Sequence, residues 1–471
     1  MDKQRIHFVG IGGIGVSSLA RYFLAQKWAV SGSDASSSSE TKELVRDGAK
    51  VRITHKASNL SPKTNLVVFS QAIPADNPEI LKAKRLGIPV ISYPEALGEL
   101  TKQYRTIAIS GSHGKSTTTA ITSLIFRQAG LDPTVIIGTK LKEFSGRPAS
   151  PAGKNFRLGK GPYLIIEADE YKDSFLNYYP EAILMTNIDR EHLDHYKNFA
   201  GVKRGFKNFS KNLDKGGVMI LNKDDSPVRK LFKKDKRVVW YSLKDKKLAS
   251  LISKAIRIPG RHNISNFLGA FKLARHFGIK QKDILKAISA YNGSWRRMEY
   301  KGQFKIQSAS WRTKFKAKVY DDYAHHPTEI RATLSALGEA YPASPLFCVF
   351  QPHQSKRLKV LFKEFTESFK DADITLILPI YFVAGRDVEL SKWNSEALVK
   401  AIQKKYPKQK VFYLKDPKNL RNALQVLMST FGDESCAPSS VVNRSVNRLG
   451  ESVIVMMGAG DIVNITPSLL K

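Results

Sequence analysis

The sequence predicts an α/β chain of three domains built on mostly parallel sheets, and three observations carry that prediction. Two glycine loops, at 10–15 and 111–116, each follow an apolar strand-like run and open a helix-forming run. Beyond residue 294, apolar runs again alternate with helical patterns. The length, 471 residues, exceeds what one compact core accommodates and suggests about three units.

The first unit, 1–101, opens with a buried strand at Arg5–Gly10. Gly10, Gly12, Gly13 and Gly15 then form a GxGxxG loop, Val16–Gln26 reads as a helix, and Trp28–Ser33 as a second strand ending at Asp34. An acidic residue about twenty positions after such a loop is the dinucleotide-type pattern, and alone it would suggest NAD. Leu66–Ser70 and Pro89–Ser92 read as further strands.

The second unit, 102–294, starts with the strand Thr106–Ile109 and the run Gly111, Ser112, His113, Gly114, Lys115, Ser116, Thr117. Backbone N–H groups in such a turn face an anion, the helix N-terminus adds positive potential, and Lys115 and Ser116 can serve the β/γ-phosphates and magnesium. That combination points to ATP. Ile109 stands where the first glycine of the full GxxxxGKS pattern would fall, so a glycine-rich turn with a surface lysine remains the competing account. A loop at Gly146–Lys154, strands Tyr163–Ala168 and Ala182–Asn187, and helices Asn263–Phe277 and Lys282–Tyr291 complete the unit.

A break at Asn292, Gly293 and Ser294 precedes the third unit, 295–471. Its strands are expected at Lys318–Asp322, Leu346–Gln351, Ile374–Leu378 and Ser452–Met457, with Phe431–Gly450 a long loop.

Apolar residues make up 42% and charged residues 25%, the values of a globular protein. No apolar run approaches the roughly 20 residues of a membrane span, and the polar stretch Met1–Arg5 leads into a strand rather than a signal-peptide core. With only Cys348 and Cys436, there is neither a disulfide framework nor a cysteine metal cluster, which fits a cytoplasmic protein. The net charge of +34 is spread over the whole length, densest at Arg229–Lys247, without a nucleic-acid-binding motif. It reads as a solvated lysine-rich surface, not as the mark of a specific nucleic acid partner. Nothing in the sequence decides between monomer and homodimer.

Glu167, Asp169 and Glu170 follow an apolar strand, where a carboxylate can hold magnesium or simply form a solvated acidic turn. His192, in TNIDREHLD, is either a ligand or a structural histidine. Asn263 and Asn266 share one helix face, suited to a nucleobase or to capping. Arg296 and Arg297 open the third unit, and Asp321, Asp322, His325 and His326 end a strand, as a ligand edge or as a polar turn closed by Pro327. A dehydrogenase has no need of Lys115, and a simple kinase has no need of a preceding GxGxxG unit. The pairing therefore suggests ATP together with a second phosphate-rich ligand.

In order from residue 7 to residue 462, the segments HFVGIGGIGVSSLA, SGSD, SQAIP, GSHGKSTTT, YLIIEADE, TNIDREHLD, PGRHNISN, DDYAHHPTE, QPH and MGAGDI resemble the Mur ligase family, the ATP-dependent amide-forming enzymes of peptidoglycan synthesis. The resemblance implies a Rossmann-like N-terminal domain for a UDP-sugar, a central P-loop ATPase and a Rossmann-like C-terminal domain for the amino acid. It implies ATP-driven phosphorylation of the lactyl carboxylate of UDP-N-acetylmuramate and attack on the acyl phosphate by L-alanine, with ATP and Mg2+ required. A related recycling branch joins a whole peptide to the same sugar nucleotide.

By the same resemblance, Lys115, Glu167 and His192 are catalytic and Ser116, Glu167 and His192 hold metal. Asn263 and Asn266 serve the adenine side, while Arg297 and Asp322 close on ATP. Gly10, Gly12, Gly13, Gly15, Asp34 and Ser70 hold the UDP portion, and His325, His326 and Arg357 belong to the amino-acid site. Departures are mild at Ser112 and Ser116, which keep a hydroxyl where the family has threonine. After QPH the usual arginines are reduced to Arg357, and Tyr381–Val388 is less acidic than in many relatives. Both lie in the domain that selects the amino acid.

Overall fold

A computed structural model describes residues 3–145, 153–306, 315–382, 390, 392–431 and 452–470. Three sheets form among them, and all are mostly parallel. The first contains β1 (Arg5–Val9), β2 (Ala29–Asp34), β3 (Lys50–Ile53), β4 (Leu66–Phe69) and β5 (Val90–Ser92), in the order β3-β2-β1-β4-β5. Every pairing in it is parallel.

The central sheet contains β6 (Arg105–Ser110), β7 (Thr134–Leu141), β8 (Lys154–Arg157), β9 (Tyr163–Glu167), β10 (Ala182–Met185), β11 (Val218–Asn222) and β12 (Val238–Tyr241). Its order is β12-β11-β10-β6-β9-β7-β8, and only β7 with β8 is antiparallel. The third sheet contains β13 (Glu299–Ile306), β14 (Phe315–Asp322), β15 (Leu346–Phe350), β16 (Ile374–Ile377), β17 (Lys410–Tyr413) and β18 (Ser452–Met457). Its order is β13-β14-β18-β15-β16-β17, with β13 antiparallel to β14.

The central strands are near-continuous apolar runs because both sheet faces are covered. Ile6, Phe8 and Val9 of β1, and Ile107, Ala108 and Ile109 of β6, are fully buried. Each of these strands ends in a glycine loop and lies between two parallel neighbours reached in opposite directions, where open α/β sheets bind ligands.

The chain divides into two compact units, Met1–Arg257 with Asn263–Trp295, and Ile258–His262 with Arg296–Lys471. In the first unit one hydrophobic cluster runs from Ile6, Phe8 and Leu19 to Phe156, Leu164 and Phe175, joining the first two sheets. A buried ionic seam reinforces it. Arg21 pairs with Glu40 at 3.2 Å, Glu43 at 3.1 Å and Asp47 at 2.9 Å, and also reaches Asn155. Lys140 of β7 meets Glu40 and Glu43.

The strands that the sequence pattern does not announce include β3, β8 and β12, which are short edge strands; β3 (KVRI) is mostly exposed and shows no apolar periodicity. Residues 146–152 and 432–450 of the two expected loops lie outside the described residues, while Phe431 ends the helix Leu420–Phe431. Residues 383–388 of the Tyr381–Val388 segment lie outside them too. Among the described residues, no helix is long and apolar enough to cross a membrane.

Candidate active site

The phosphate loop leaves β6 and enters the helix Lys115–Gln128. Gly111 has φ +130° and Gly114 φ +83°, conformations in which a side chain is strained. Space forbids a side chain as well. A Cβ at Gly111 would collide with the Thr186 hydroxyl, and one at Gly114 would lie 2.6 Å from the Asn266 carboxamide oxygen. Asn266 is thereby brought against the loop, with buried Asn263 one turn earlier on the same helix, Arg261–His276.

The segment after β10 braces the loop. His113 N–H donates to Asn187 Oδ1 at 2.9 Å and Ser112 N–H to the Asn187 carbonyl at 3.1 Å. Asp189 N–H donates to the Ser112 hydroxyl at 2.9 Å, and the Asp189 carboxylate lies 3.0 Å from His113 Nε2. The sequence pattern alone assigns no role to Asn187 or Asp189.

Lys115 Nζ donates to the carbonyl of Gly111 and to Glu170 Oε2, each at 2.7 Å, with Asp169 at 3.7 Å. Burial alone would lower this ammonium, but Glu170, Asp169 and Glu167 outweigh it and hold the group above its ordinary value. The adjacent acids are driven apart. Burial, aided by Asp169, outweighs Lys115 and holds Glu170 above the usual carboxylate range. At Asp169, whose side chain is half exposed, partial desolvation is overcome by Lys115 and His192, and the group is lowered.

Ser116 Oγ donates to Glu167 Oε1, and Gly138 N–H of β7 donates to Oε2, both at 2.9 Å. His192 lies instead with Asp169 and Glu170, one ligand atom of each within 4.8 Å of the others. The expected trio of Ser116, Glu167 and His192 is thus distributed over two neighbouring groups, and Asp169 and Glu170 join it. His192 has φ +54° at the start of the short helix Leu193–Tyr196, and its ring lies 4.8 Å from that of Tyr171.

These groups fit a hard divalent cation. Glu167, Asp169 and Glu170 face Lys115, and Glu170 Oε1 is buried without a hydrogen-bond donor among the described residues. Oxygen donors from carboxylates and a hydroxyl are the set magnesium prefers.

At the first loop, Gly10 has φ +80°, and a Cβ there would lie 3.0 Å from Ser70 Cβ. Gly12 N–H donates to Asp34 Oδ2 at 2.8 Å, so this carboxylate helps to build the loop. Gly13 precedes the helix Ile14–Ala25 without a side-chain cap, which leaves the first helical N–H groups to an anion. Gly15 lies against the ring of Tyr93. The six residues expected at this loop therefore assemble in one place.

In the second unit, Asp322 accepts from Met298 N–H at 2.8 Å, Ala324 N–H at 2.9 Å and Thr333 Oγ1 at 3.2 Å. It builds the turn from which Arg297 lies 4.8 Å from the Tyr323 ring centre. His325 Nδ1 is 3.2 Å from Glu329, and its ring is 5.9 Å from that of His353. Arg357 Nη1 lies 3.0 Å from His353 Nδ1, and His353 stacks on Tyr381. His325 and Arg357 thus meet around His353. His326 instead caps its own helix, Pro327–Ala340, accepting from Thr328 N–H at 3.3 Å.

Comparison with known proteins agrees with this organisation. The chain matches the Mur ligase family, catalytic domain, at residues 5–105, the Mur ligase middle domain at 109–274, and the Mur ligase, glutamate ligase domain at 296–434. It is 40% identical over 407 residues to the UDP-N-acetylmuramate–L-alanine ligase of Aquifex aeolicus, covering 82% of this chain and 86% of that one. Its identity to the ligase of the same name from Alkaliphilus metalliredigens is 37% over 436 residues, covering 87% and 90%.

Among solved structures, it resembles a UDP-N-acetylmuramate-alanine ligase from Thermotoga maritima, with TM-score 0.75, 22% identity and coverage of 99% and 98%. A murein peptide ligase from Psychrobacter arcticus gives TM-score 0.65 at 22% identity and the same coverage. These last two are likenesses of fold. With three consecutive domain matches and relatives at this identity over most of its length, the chain belongs to the Mur ligase family.

Proposed function

We propose that this protein joins L-alanine to the lactyl carboxylate of UDP-N-acetylmuramate, with cleavage of ATP to ADP and phosphate, in peptidoglycan synthesis. The observation that carries this reading is the 40% identity, over 82% of the chain, to the Aquifex aeolicus enzyme of that name. The two loops supply its physical basis. The domain limits proposed with it are 1–101 for the UDP-sugar, 102–294 for ATP and 295–471 for the amino acid. Each sheet falls within one of these ranges. The cytoplasm is the proposed compartment, where ATP and a sugar nucleotide are both supplied.

A carboxylate is a poor acyl donor because its leaving group would be an oxide or hydroxide. One carboxylate oxygen therefore attacks the γ-phosphorus of ATP and ADP leaves. The amine of L-alanine attacks the resulting acyl phosphate, a proton leaves the nitrogen, and the tetrahedral intermediate expels phosphate. The first step brings two anions together, so the site must supply positive charge.

Lys115 places its ammonium at the mouth of the loop, held in position by Gly111 and Glu170. A magnesium ion held beside it would supply further positive charge for this step. Ser116 and Glu167 would hold one ion at the loop, and His192 with Asp169 and Glu170 a second. Asn263 and Asn266 would receive the adenosine, with Arg297 and Asp322 contributing to the ATP site. Gly10, Gly12, Gly13 and Gly15, together with Asp34 and Ser70, would receive the UDP moiety. In the amino-acid domain, Arg357 offers a cation for the α-carboxylate of alanine, with His325 beside it and His326 ordering the turn.

Phosphate release tests the reading, measured with UDP-N-acetylmuramate and, in turn, L-alanine, L-serine, glycine and a tripeptide. L-alanine is expected to give the highest kcat/KM. Preference for the tripeptide would move the protein to the recycling branch, and phosphate release driven only by nucleic acid would overturn the ligase reading.

A further inference from the structure

Tyr93 lies 78 residues beyond Gly15, the last glycine of the first loop, and no motif points to it. It begins the helix Tyr93–Thr101, where Ser92 accepts from Glu95 N–H and Glu95 accepts from Ser92 N–H. This capping box and Pro94 fix the start of the helix.

The same helix is packed on the segment carrying the acidic cluster. Leu97 and Leu100 share a core with Phe175 and Tyr178. Gly98 abuts the Asn177 carbonyl, and Tyr179 N–H donates to Thr101 Oγ1 at 3.1 Å. Phe175 and Asn177 lie in the short helical segment Tyr171–Asn177, which follows Asp169 and Glu170 directly.

On its other side the Tyr93 ring lies against the sugar-nucleotide loop. A Cβ at Gly15 would come within 2.9 Å of both Tyr93 Cζ and the phenol oxygen. Burial, reinforced by Glu167 and Asp169 and opposed by Ser18, holds the phenol above its ordinary value, so it stays a neutral O–H donor at physiological pH. Tyr93 thus lies against the glycine loop, on a helix packed on the segment that follows Asp169 and Glu170. It is a neutral donor in a place otherwise rich in negative charge.

In the reaction proposed above, the substrate carboxylate must lie between these two loops. We propose that the Tyr93 hydroxyl donates a hydrogen bond to the lactyl carboxylate of the bound sugar nucleotide and keeps it as the acyl phosphate forms. Tyr93 is then a further catalytic residue, an assignment that rests on the proposed ligase function. A neutral donor suits the task, because it binds the anion without forming an ion pair with Glu167 or Asp169 in its place. Packing against Gly15 alone requires only the ring, which phenylalanine also supplies.

Tyr93→Phe separates the two roles. Calorimetric binding of UDP-N-acetylmuramate, steady-state kinetics and thermal unfolding are measured for both proteins. Loss of a hydrogen bond to a charged group predicts a fall of about tenfold or more in kcat/KM for UDP-N-acetylmuramate, with KM for ATP and Tm unchanged. Kinetics within twofold of the unsubstituted protein would overturn the assignment. So would equal losses towards ATP and sugar nucleotide with a lowered Tm, the signature of packing alone. If the unsubstituted protein binds ATP but not UDP-N-acetylmuramate, the functional reading itself falls and takes the assignment with it. Binding by the unsubstituted protein together with an unaffected Tyr93→Phe removes the assignment alone.

Discussion

The two glycine loops of the first unit share a plan and differ in what surrounds them. Each ends a buried parallel strand and opens a helix, and a fully buried glutamate lies in each domain, Glu79 in the first and Glu170 in the second. Glu79 is saturated. It meets His7 Nε2 at 2.8 Å and accepts from Ser33 Oγ at 2.7 Å, Asn59 Nδ2 at 2.8 Å and Lys56 N–H at 3.0 Å.

Burial would raise the Glu79 carboxyl, but His7, Ser33 and Asn59 together hold it below its ordinary value. Glu170 has Lys115 on one oxygen and no donor on the other among the described residues, and its carboxyl is held above the ordinary value. A buried carboxylate with every lone pair engaged stabilises a fold. One left incomplete beside such a loop suits the cation proposed there. On the proposed function, the backbone motif suits both loops to phosphate, and the neighbouring side chains decide whether phosphate is only held there or also transferred.

The largest expected effect comes from removing the cation at the second loop. Lys115→Ala should lower turnover by about a hundredfold or more, the scale of one lost transition-state partner. UDP-N-acetylmuramate affinity at the first loop should stay unchanged, as equilibrium binding would register. Near-normal turnover would erase the distinction between the loops. His192→Ala should weaken magnesium activation by about tenfold or more without changing Tm. That is read from the magnesium dependence of phosphate release, and an unfolded product would make His192 structural.

A smaller effect probes the first loop. Gly10→Ala places a side chain at φ +80° and against Ser70, and should weaken UDP-N-acetylmuramate binding by about tenfold. ATP binding should be retained, and equal losses at both ligands would mean that the loops are not separable. The smallest effect is on stability. Glu79→Gln should cost about 2 kcal/mol at neutral pH and leave turnover near normal. Because the folded Glu79 value lies below 4.5, its contribution is present above pH 4.5 and is lost as pH falls through the lowered value. The variant should therefore lose that part of the acid transition, as pH-dependent chemical denaturation would detect.

Much of this site is legible in the amino-acid sequence because its backbone demands glycine. Gly10, Gly111 and Gly114 all have positive φ, and their spacing after apolar runs announces two strand–loop–helix turns. The residue types at Lys115, Ser116 and Glu167 likewise point to the phosphate and metal roles proposed for them. Partnership across the fold is not legible. Nothing local to Asp34 says that it accepts from Gly12, and nothing local to Asn187 says that it braces Ser112 and His113.

His326 and His325 look equivalent in sequence, yet the helix start at Pro327 turns one into a cap, while the other faces His353. Tyr93 is carried to Gly15 by the pairing of β4 with β5 and the packing of the following helix, contacts to which local periodicity is blind.

Transfer of one oxygen tests the central claim most directly. UDP-N-acetylmuramate carrying 18O in both lactyl carboxylate oxygens is turned over with ATP, magnesium and L-alanine, and the released phosphate is read by mass or by its 31P isotope shift. Carboxylate attack on the γ-phosphorus at the Lys115 loop predicts one 18O atom in every phosphate released with product. Phosphate free of 18O would contradict it, showing that ATP is spent without activating the carboxylate.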